Sequence, residues 1–177
     1  MELVFLQFLQ KLRFPLLDSL MTFITKLGNA GIIWIIIGVI FLITKDNLKK
    51  RTATTIFLAL ILFAIIGLVI LKPIFARPRP CWIVDVNLLI PNPTDYSFPS
   101  GHTGSSFAAT TVIYNYDKKK GMWAGLLAIL IAFSRMYHFV HYPSDILGGL
   151  VLGIICGLIA VKIIHEIYMR NSLLKIK

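Results

Sequence analysis

The chain has 177 residues, of which 57% are hydrophobic and 15% are charged, whereas about 25% of the residues of an ordinary soluble domain are charged. This composition excludes a soluble globular protein and predicts one that lies within a membrane. The formal net charge of +10 does not indicate a nucleic-acid partner, because the basic residues occupy short segments between apolar runs and not one helix face.

The N-terminal segment, residues 1–28, is apolar but is interrupted by charged residues on both sides of Pro15. Lys11, Arg13 and Asp18 would be costly in the hydrocarbon layer. We therefore predict two interfacial helices here. The alternative is a single crossing, which would add a sixth span.

Five apolar segments follow, and most approach the length of about 20 helical residues that crosses the bilayer. They predict an all-α membrane protein: one domain over residues 1–177, built as a bundle of five, or six, transmembrane helices. The third segment is short, which indicates that its N-terminal end is recessed at a polar site. The predicted spans are residues 31–44, 52–71, 102–116, 121–137 and 144–164.

Small residues in the last predicted span indicate how it packs. Gly149, Gly153 and Gly157 recur at intervals of four residues, so they lie along one helix face. A neighbouring helix can approach such a face closely. We expect packing, and not chemistry, at these glycines.

The basic residues predict the orientation of the bundle. Eleven of the eighteen Lys and Arg residues lie in segments 45–51, 118–120 and 162–177, which connect or follow spans on one side. The positive-inside rule places that side in the cytoplasm of a multi-pass protein of the cell membrane. The loop 72–101 and the turn 135–143 then face outside.

Three segments at the outer ends of the spans carry polar residues that a purely structural bundle would not need. They are KPIFARPRP (72–80), FPSGH (98–102) and SRMYHFVHYPSD (134–145). Lys72, Arg79 and Arg135 supply positive charge with almost no acid nearby in the sequence, and arginine forks match phosphate oxygens. Because ionisable groups beside lipid are costly, we predict that these residues bind an anion.

The same segments contain groups suited to phosphoryl chemistry. Ser100 and Gly101 precede a span, so their backbone N–H groups and the helix dipole can point at an anion. His141 and Asp145 are four residues apart, and a carboxylate that holds one ring nitrogen leaves the other as a nucleophile. His102, from another segment, is placed to give a proton to a departing oxygen.

These segments resemble the signature of the type-2 phosphatidic acid phosphatase family. The matching patterns are Lys-x6-Arg-Pro at 72–80, Pro-Ser-Gly-His at 99–102 and Ser-Arg-x5-His-x3-Asp at 134–145. Every spacing agrees, over the central part of the chain.

The resemblance implies a metal-independent lipid phosphatase that needs no cofactor. In such an enzyme His141 attacks phosphorus and forms a phosphohistidine, Asp145 assists it, and His102 protonates the leaving group. The resemblance also implies a set of residues that bind the phosphoryl oxygens. They are Lys72, Arg79, Ser100, Gly101 and Arg135.

For a short bacterial-type protein, the resemblance favours hydrolysis of undecaprenyl diphosphate, the carrier lipid of cell-wall synthesis, to undecaprenyl phosphate. Phosphatidylglycerol phosphate, phosphatidic acid and a lipid A phosphate are alternative substrates. An anion transporter or channel is disfavoured, because the basic residues collect at one depth and transport would not need His141 paired with Asp145. Partners other than membrane and lipid, including an oligomeric state, are not indicated.

Two further residues in the motif segments have open roles. Arg77 could contact a second phosphate or a headgroup, or it could be an outer-surface charge. His138 lies near His141 and Asp145 and suggests a zinc site. Zinc is disfavoured, because the neighbouring cations would oppose a bound metal and no second carboxylate is close in the sequence.

Overall fold

The computed structural model describes the backbone of residues 1–174 and the side chains of residues 1–170. Lys175 and Lys177, two of the basic residues behind the predicted orientation, lie outside this part. The described residues are helical and contain no strand, which confirms the all-α prediction. The helices are α1 (Glu2–Lys11), α2 (Pro15–Leu27), α3 (Ile32–Leu42), α4 (Asn47–Phe63), α5 (Lys72–Phe75), α6 (Pro80–Ile83), α7 (Gly101–Tyr116), α8 (Lys118–Tyr137) and α9 (Pro143–Leu174).

Two helical stretches are long and apolar enough to cross a membrane, Asn47–Ile83 and Pro143–Arg170. A third is added if α2 and α3, which meet at a bend of 48°, act as one span. The protein thus has two to three candidate spans by this measure, whereas the sequence predicted five or six. The difference has two causes. Helix α3 has 11 residues and α7 has 16, fewer than the roughly 20 that a crossing needs. Helix α8 has 20 residues, but it begins with three lysines and carries Arg135 in its last turn, and such charges are costly in the hydrocarbon layer.

The N-terminal segment forms two helices, as predicted, and both pack against α8. Leu6 and Leu9 of α1 are buried in a small apolar cluster with Phe139 and Tyr142, which follow α8. Met21 and Ile24 of α2 belong to the main core of the bundle. The N-terminal helices are therefore attached to the same end of α8 that carries Arg135.

Helix α7 packs against α9, α8 and α4, and its contact with α9 depends on the predicted glycine face. A Cβ atom on Gly153 would lie 2.4 Å from the carbonyl oxygen of Gly104, and one on Gly149 would lie 2.7 Å from that of Ser100. The expected close helix approach is confirmed. It brings the N-termini of α7 and α9 together, where the Ser100 N–H donates a hydrogen bond to the carbonyl oxygen of Asp145 at 3.1 Å.

Between α4 and α5 the chain forms a π-helical segment, Ala64–Leu71. Such segments are often found at functional sites because they shift the following side chains around the helix axis. Lys72 follows this segment directly and is buried.

Candidate active site

The three motif segments converge on one cavity of about 720 Å³. Part of its lining consists of polar and charged side chains: Lys72, Arg79, Asp95, His102, Arg135 and His141. The lining also includes apolar side chains of α3, α4 and the π-helical segment, among them Ile35, Phe57, Leu60, Ile61 and Leu68. The cavity can therefore hold a molecule that has a charged head and an apolar tail.

The three predicted anion-binding cations are all buried, with 7% of Lys72, 2% of Arg79 and 5% of Arg135 exposed. Arg135 donates from Nη1 to Oγ1 of Thr25 in α2 at 2.7 Å. Arg79 donates from Nη1 to the carbonyl oxygen of Val140 at 2.7 Å. Contacts with two different parts of the chain thus hold the guanidinium groups beside the cavity.

The expectation that almost no acid lies near these cations is wrong. Asp95 contacts Lys72 through Oδ2 and accepts from Nη2 of Arg79 at 2.8 Å. Burial alone raises the pKa of the Asp95 carboxyl, but the hydrogen bond from Lys72 and the charges of Arg79 and Lys72 lower that pKa to about 2. Asp95 is therefore ionised and bridges Lys72 and Arg79. A phosphoryl group that bound to these two cations would have to displace it.

His141 is 1% exposed and lies beside both Arg79 and Asp145. Nη1 of Arg79 is 3.1 Å from Nε2 of the ring. Because a guanidinium has only donors, Nε2 accepts there and the ring proton is assigned to Nδ1. Burial, together with the charges of Arg79, Arg135 and Lys72, holds the pKa of His141 well below its ordinary value, which favours a neutral ring with a free lone pair on Nε2.

The Nδ1 side of the His141 ring faces two oxygen atoms. Oδ2 of Asp145 is 3.5 Å from Nδ1, and Oγ of Ser97 is 3.4 Å from it. Ser97 is fully buried and donates its hydroxyl proton to Oδ2 of Asp145. The predicted pairing of His141 with Asp145 is thus present, and Ser97, which lies outside the three motif segments, joins it.

Arg77 contacts the far side of Asp145. Its Nη1 donates to Oδ1 of Asp145 at 2.6 Å, and its Nη2 donates to Oε2 of Glu2 at 2.7 Å. The guanidinium also lies 4.0 Å from the centre of the Tyr142 ring. These contacts favour a role in orienting Asp145 over either role suggested by the sequence.

Glu2 connects helix α1 to the same region. Its Oε1 accepts from the backbone N–H of Ser144 at 2.8 Å, in the first turn of α9. Burial raises the pKa of the Glu2 carboxyl, but hydrogen bonds from Ser144 and Arg77 outweigh it and lower that pKa. A glutamate at the start of an apolar helix carries no local sequence signal for such a contact.

Ser100 and Gly101 begin helix α7 beside the cavity. Gly101 lines it, as expected of a residue that lets a phosphate approach the backbone. Ser100 is fully buried, its N–H is engaged with Asp145, and its Oγ is 3.0 Å from Oγ1 of Thr103. The phosphate-binding role predicted for Ser100 therefore cannot use its backbone N–H in this arrangement.

His102 and His138 differ in position. His102 is half-buried and lines the cavity, with Nε2 at 2.9 Å from Oδ1 of Asn29. His138 is buried outside the cavity lining, where its ring meets the edge of Tyr137 at a centroid distance of 5.8 Å. Within the described residues, no three His, Cys, Asp or Glu side chains are grouped to hold a metal ion.

The sequence model of the PAP2 superfamily matches residues 52–169. This match covers more than half of the chain and includes all three motif segments. The chain belongs to the PAP2 superfamily. It is 34% identical to an undecaprenyl-diphosphatase of Sulfolobus acidocaldarius over 152 aligned residues. The aligned part covers 83% of this chain and 70% of that relative. The family predicted from the motifs is thereby confirmed.

Two solved structures resemble this PAP2 superfamily fold. The crystal structure of Aquifex aeolicus LpxE matches with a TM-score of 0.78 and 34% identity, over 91% of this chain and 94% of that one. A transmembrane PAP2-type phosphatidylglycerolphosphate phosphatase from Bacillus subtilis matches with a TM-score of 0.75 and 25% identity. This match covers 94% of this chain and 85% of that one. The second likeness and the apolar helices of this chain confirm that it is a membrane protein.

Three site contacts of this PAP2 superfamily member come from outside the matched residues. Glu2, Thr25 and Asn29 precede residue 52, yet they bond to Arg77, Arg135 and His102, respectively. The N-terminal helices therefore support the site as well as the bundle.

Proposed function

We propose that this PAP2 superfamily protein, a membrane lipid phosphatase, hydrolyses undecaprenyl diphosphate to undecaprenyl phosphate through a phosphohistidine. The observation that carries the proposal is the single cavity that joins a buried cation cluster and two histidines to an apolar channel. A phosphorylated head fits the first part and a long hydrocarbon tail fits the second. The undecaprenyl-diphosphatase relative supports the choice of substrate.

In the proposed first step, the terminal phosphoryl group displaces the Asp95 carboxylate and binds between Lys72, Arg79 and Arg135. Nε2 of His141 attacks phosphorus as the bond to the leaving oxygen breaks, and His102 gives that oxygen a proton. The ring becomes positively charged during attack, and Asp145 stabilises this charge through the Nδ1 side. Positioning and charge stabilisation of this kind supply most of the catalysis in phosphoryl transfer.

In the second step, water attacks the phosphohistidine. His102, now neutral, accepts a proton from the water, and the bond between phosphorus and Nε2 of His141 breaks. Inorganic phosphate leaves and His102 is again protonated. The cation cluster supplies the positive charge that metal ions supply in many other phosphatases, so we propose that the reaction needs no metal.

We also propose that the site faces outside, in a bundle of five spans with α1 and α2 at the interface. Lys118–Lys120 begin α8, whose last turn carries Arg135, so the lysines and the site lie at opposite ends of one helix. The positive-inside rule assigns the lysine end to the cytoplasm. In a protein without native cysteines, Lys119→Cys should react only with membrane-permeant thiol reagents. Asp85→Cys should also react with impermeant reagents. The reverse pattern would contradict this orientation.

The activity is tested by phosphate release from detergent-purified protein with undecaprenyl diphosphate, phosphatidylglycerol phosphate, phosphatidic acid and a lipid A phosphate. Wild type should act in EDTA and be inhibited by vanadate, and His141→Ala should form no phosphohistidine and release no phosphate. His165→Ala is the matched control, because His165 bonds to Arg51, far from the cavity. Activity that survives in His141→Ala, or that requires added Mg²⁺ or Zn²⁺, would contradict the mechanism. A clear preference for another lipid would change the substrate alone.

A further inference from the structure

The turn that joins α2 to α3 lies directly against His102. Gly28 contacts the ring so closely that a Cβ atom there would be 2.8 Å from Cδ2 of His102. The next residue, Asn29, places Oδ1 2.9 Å from Nε2 of that ring. Gly28, Ala30 and Gly31 line the cavity beside it. This turn is therefore a wall of the active site, although none of the three motif segments includes it.

The backbone of the turn has an unusual conformation. Ala30 has a φ of +49° and Gly31 a φ of +69°, and a left-handed conformation is costly for an alanine. Residues held in such conformations are concentrated at functional sites, where the surrounding structure enforces them. Here the two residues bend the chain after Asn29, between two helices that meet at a bend of 48°.

We propose that Asn29 is a positioning residue for the proton transfer that His102 performs, an inference that rests on the proposed function. The amide oxygen accepts a hydrogen bond from the Nε2–H group and holds the ring in one orientation. Proton transfer to the leaving oxygen is then assigned to Nδ1. Asn29 itself touches neither phosphorus nor the leaving group.

The protons balance through both steps of the reaction. Before attack, His102 carries a proton on each ring nitrogen, and Asn29 holds the one on Nε2. As the bond between phosphorus and the leaving oxygen breaks, the Nδ1 proton goes to that oxygen and leaves His102 neutral. The attacking water later gives a proton to Nδ1. Throughout, an amide oxygen suits Nε2 because it can only accept a hydrogen bond.

The proposal predicts that the effect of Asn29 depends on the leaving group. A lipid alkoxide leaves poorly without a proton, whereas p-nitrophenolate leaves readily without one. General acid catalysis contributes about 10² to 10⁴-fold, so losing the group that orients the acid should lower kcat/KM for a lipid phosphate monoester by about tenfold or more. With p-nitrophenyl phosphate, kcat/KM should change by less than about twofold, since this constant covers only the steps through leaving-group departure.

The experiment compares Asn29→Ala with wild type on phosphatidic acid and p-nitrophenyl phosphate, with Asn115→Ala, at the exposed far end of α7, as the matched control. Asn29→Asp keeps the shape and the accepting oxygen and adds a negative charge. It should retain activity on the lipid and move the basic limb of the pH profile to higher pH, because the charge stabilises the protonated ring.

The proposal would be overturned if Asn29→Ala lost kcat/KM equally on both substrates, or if it lost none on the lipid. A basic limb of the Asn29→Asp pH profile that coincided with that of wild type would also overturn it. If Asn29→Ala does not fold, the Asn29→Asp profile still decides. Failure of the proposed function is seen separately, as wild type that releases no phosphate or as His141→Ala that remains active.

Discussion

Asp95 bridges two of the cations that are proposed to bind phosphate, so replacing it with asparagine should strengthen anion binding. An incoming phosphoryl group must break the contacts of Asp95 with Lys72 and Arg79. The asparagine side chain has a similar shape but no negative charge. The substitution therefore removes the competing anion while changing little of the packing.

The expected size of the effect follows from the exposure of the three side chains. Those of Lys72 and Arg79 are 9% and 3% exposed, but that of Asp95 is 55% exposed, so water screens both ion pairs. Exposed pairs contribute about 0.2–1 kcal/mol each, and breaking two costs about 1 kcal/mol. This corresponds to about a fivefold gain in affinity for the anion in Asp95→Asn.

The assay is inhibition of phosphate release by vanadate, a mimic of the phosphoryl group, with Asp85→Asn as the matched control in the same loop. The inhibition constant of Asp95→Asn should be about fivefold lower than that of wild type, and the difference should shrink at high salt. Because the pKa of Asp95 is lowered to about 2, its competition is present above the ordinary carboxyl pKa and is lost only as the pH falls toward 2. Weaker inhibition of Asp95→Asn by vanadate would refute the reasoning and show that Asp95 instead orders the cations for binding.

Three further predictions concern packing, orientation and protonation. Gly153→Ala should destabilise the protein by about 1–3 kcal/mol, because its Cβ would lie 2.4 Å from a carbonyl oxygen of α7. Gly125→Ala should not, because its Cβ would lie 3.7 Å from the nearest side chain. Thermal unfolding in detergent measures both effects. Arg77→Gln should lower kcat about tenfold, because Asp145 loses the hydrogen bond from Arg77. The inhibition constant of vanadate should change little, because Arg77 is not one of the proposed anion-binding residues. Equal losses of kcat and of vanadate affinity would contradict this prediction. Because burial and nearby cations hold the pKa of His141 well below its ordinary value of 6.5, the ring is neutral at pH 6.5 and gains a proton only at lower pH. The acid limb of kcat/KM, corrected for substrate ionisation, should therefore lie below pH 6.5; a limb at or above 6.5 would contradict the assignment.

The sequence alone determined the helical class, the glycine contact of α9 and the identity of the motif residues that line the cavity. Each of these depends on short-range patterns. Apolar runs form helices, glycines four residues apart lie on one helix face, and the motif spacings place Lys72 near Arg79 and His141 near Asp145 within single segments. The number of spans did not follow in the same way, because hydropathy does not specify how far α3 and α7 extend as helices, and because α8 is long enough but has charged residues at both ends.

Only the tertiary structure decided which groups surround the motif residues. Asn29 is 73 residues from His102, Glu2 is 75 residues from Arg77, and Thr25 is 110 residues from Arg135. These contacts exist because α1 and α2 pack against α8, and no local pattern encodes that packing. Asp95 likewise reaches Lys72 and Arg79 only because its loop folds back over these two buried cations, which lie 23 and 16 residues away in the sequence.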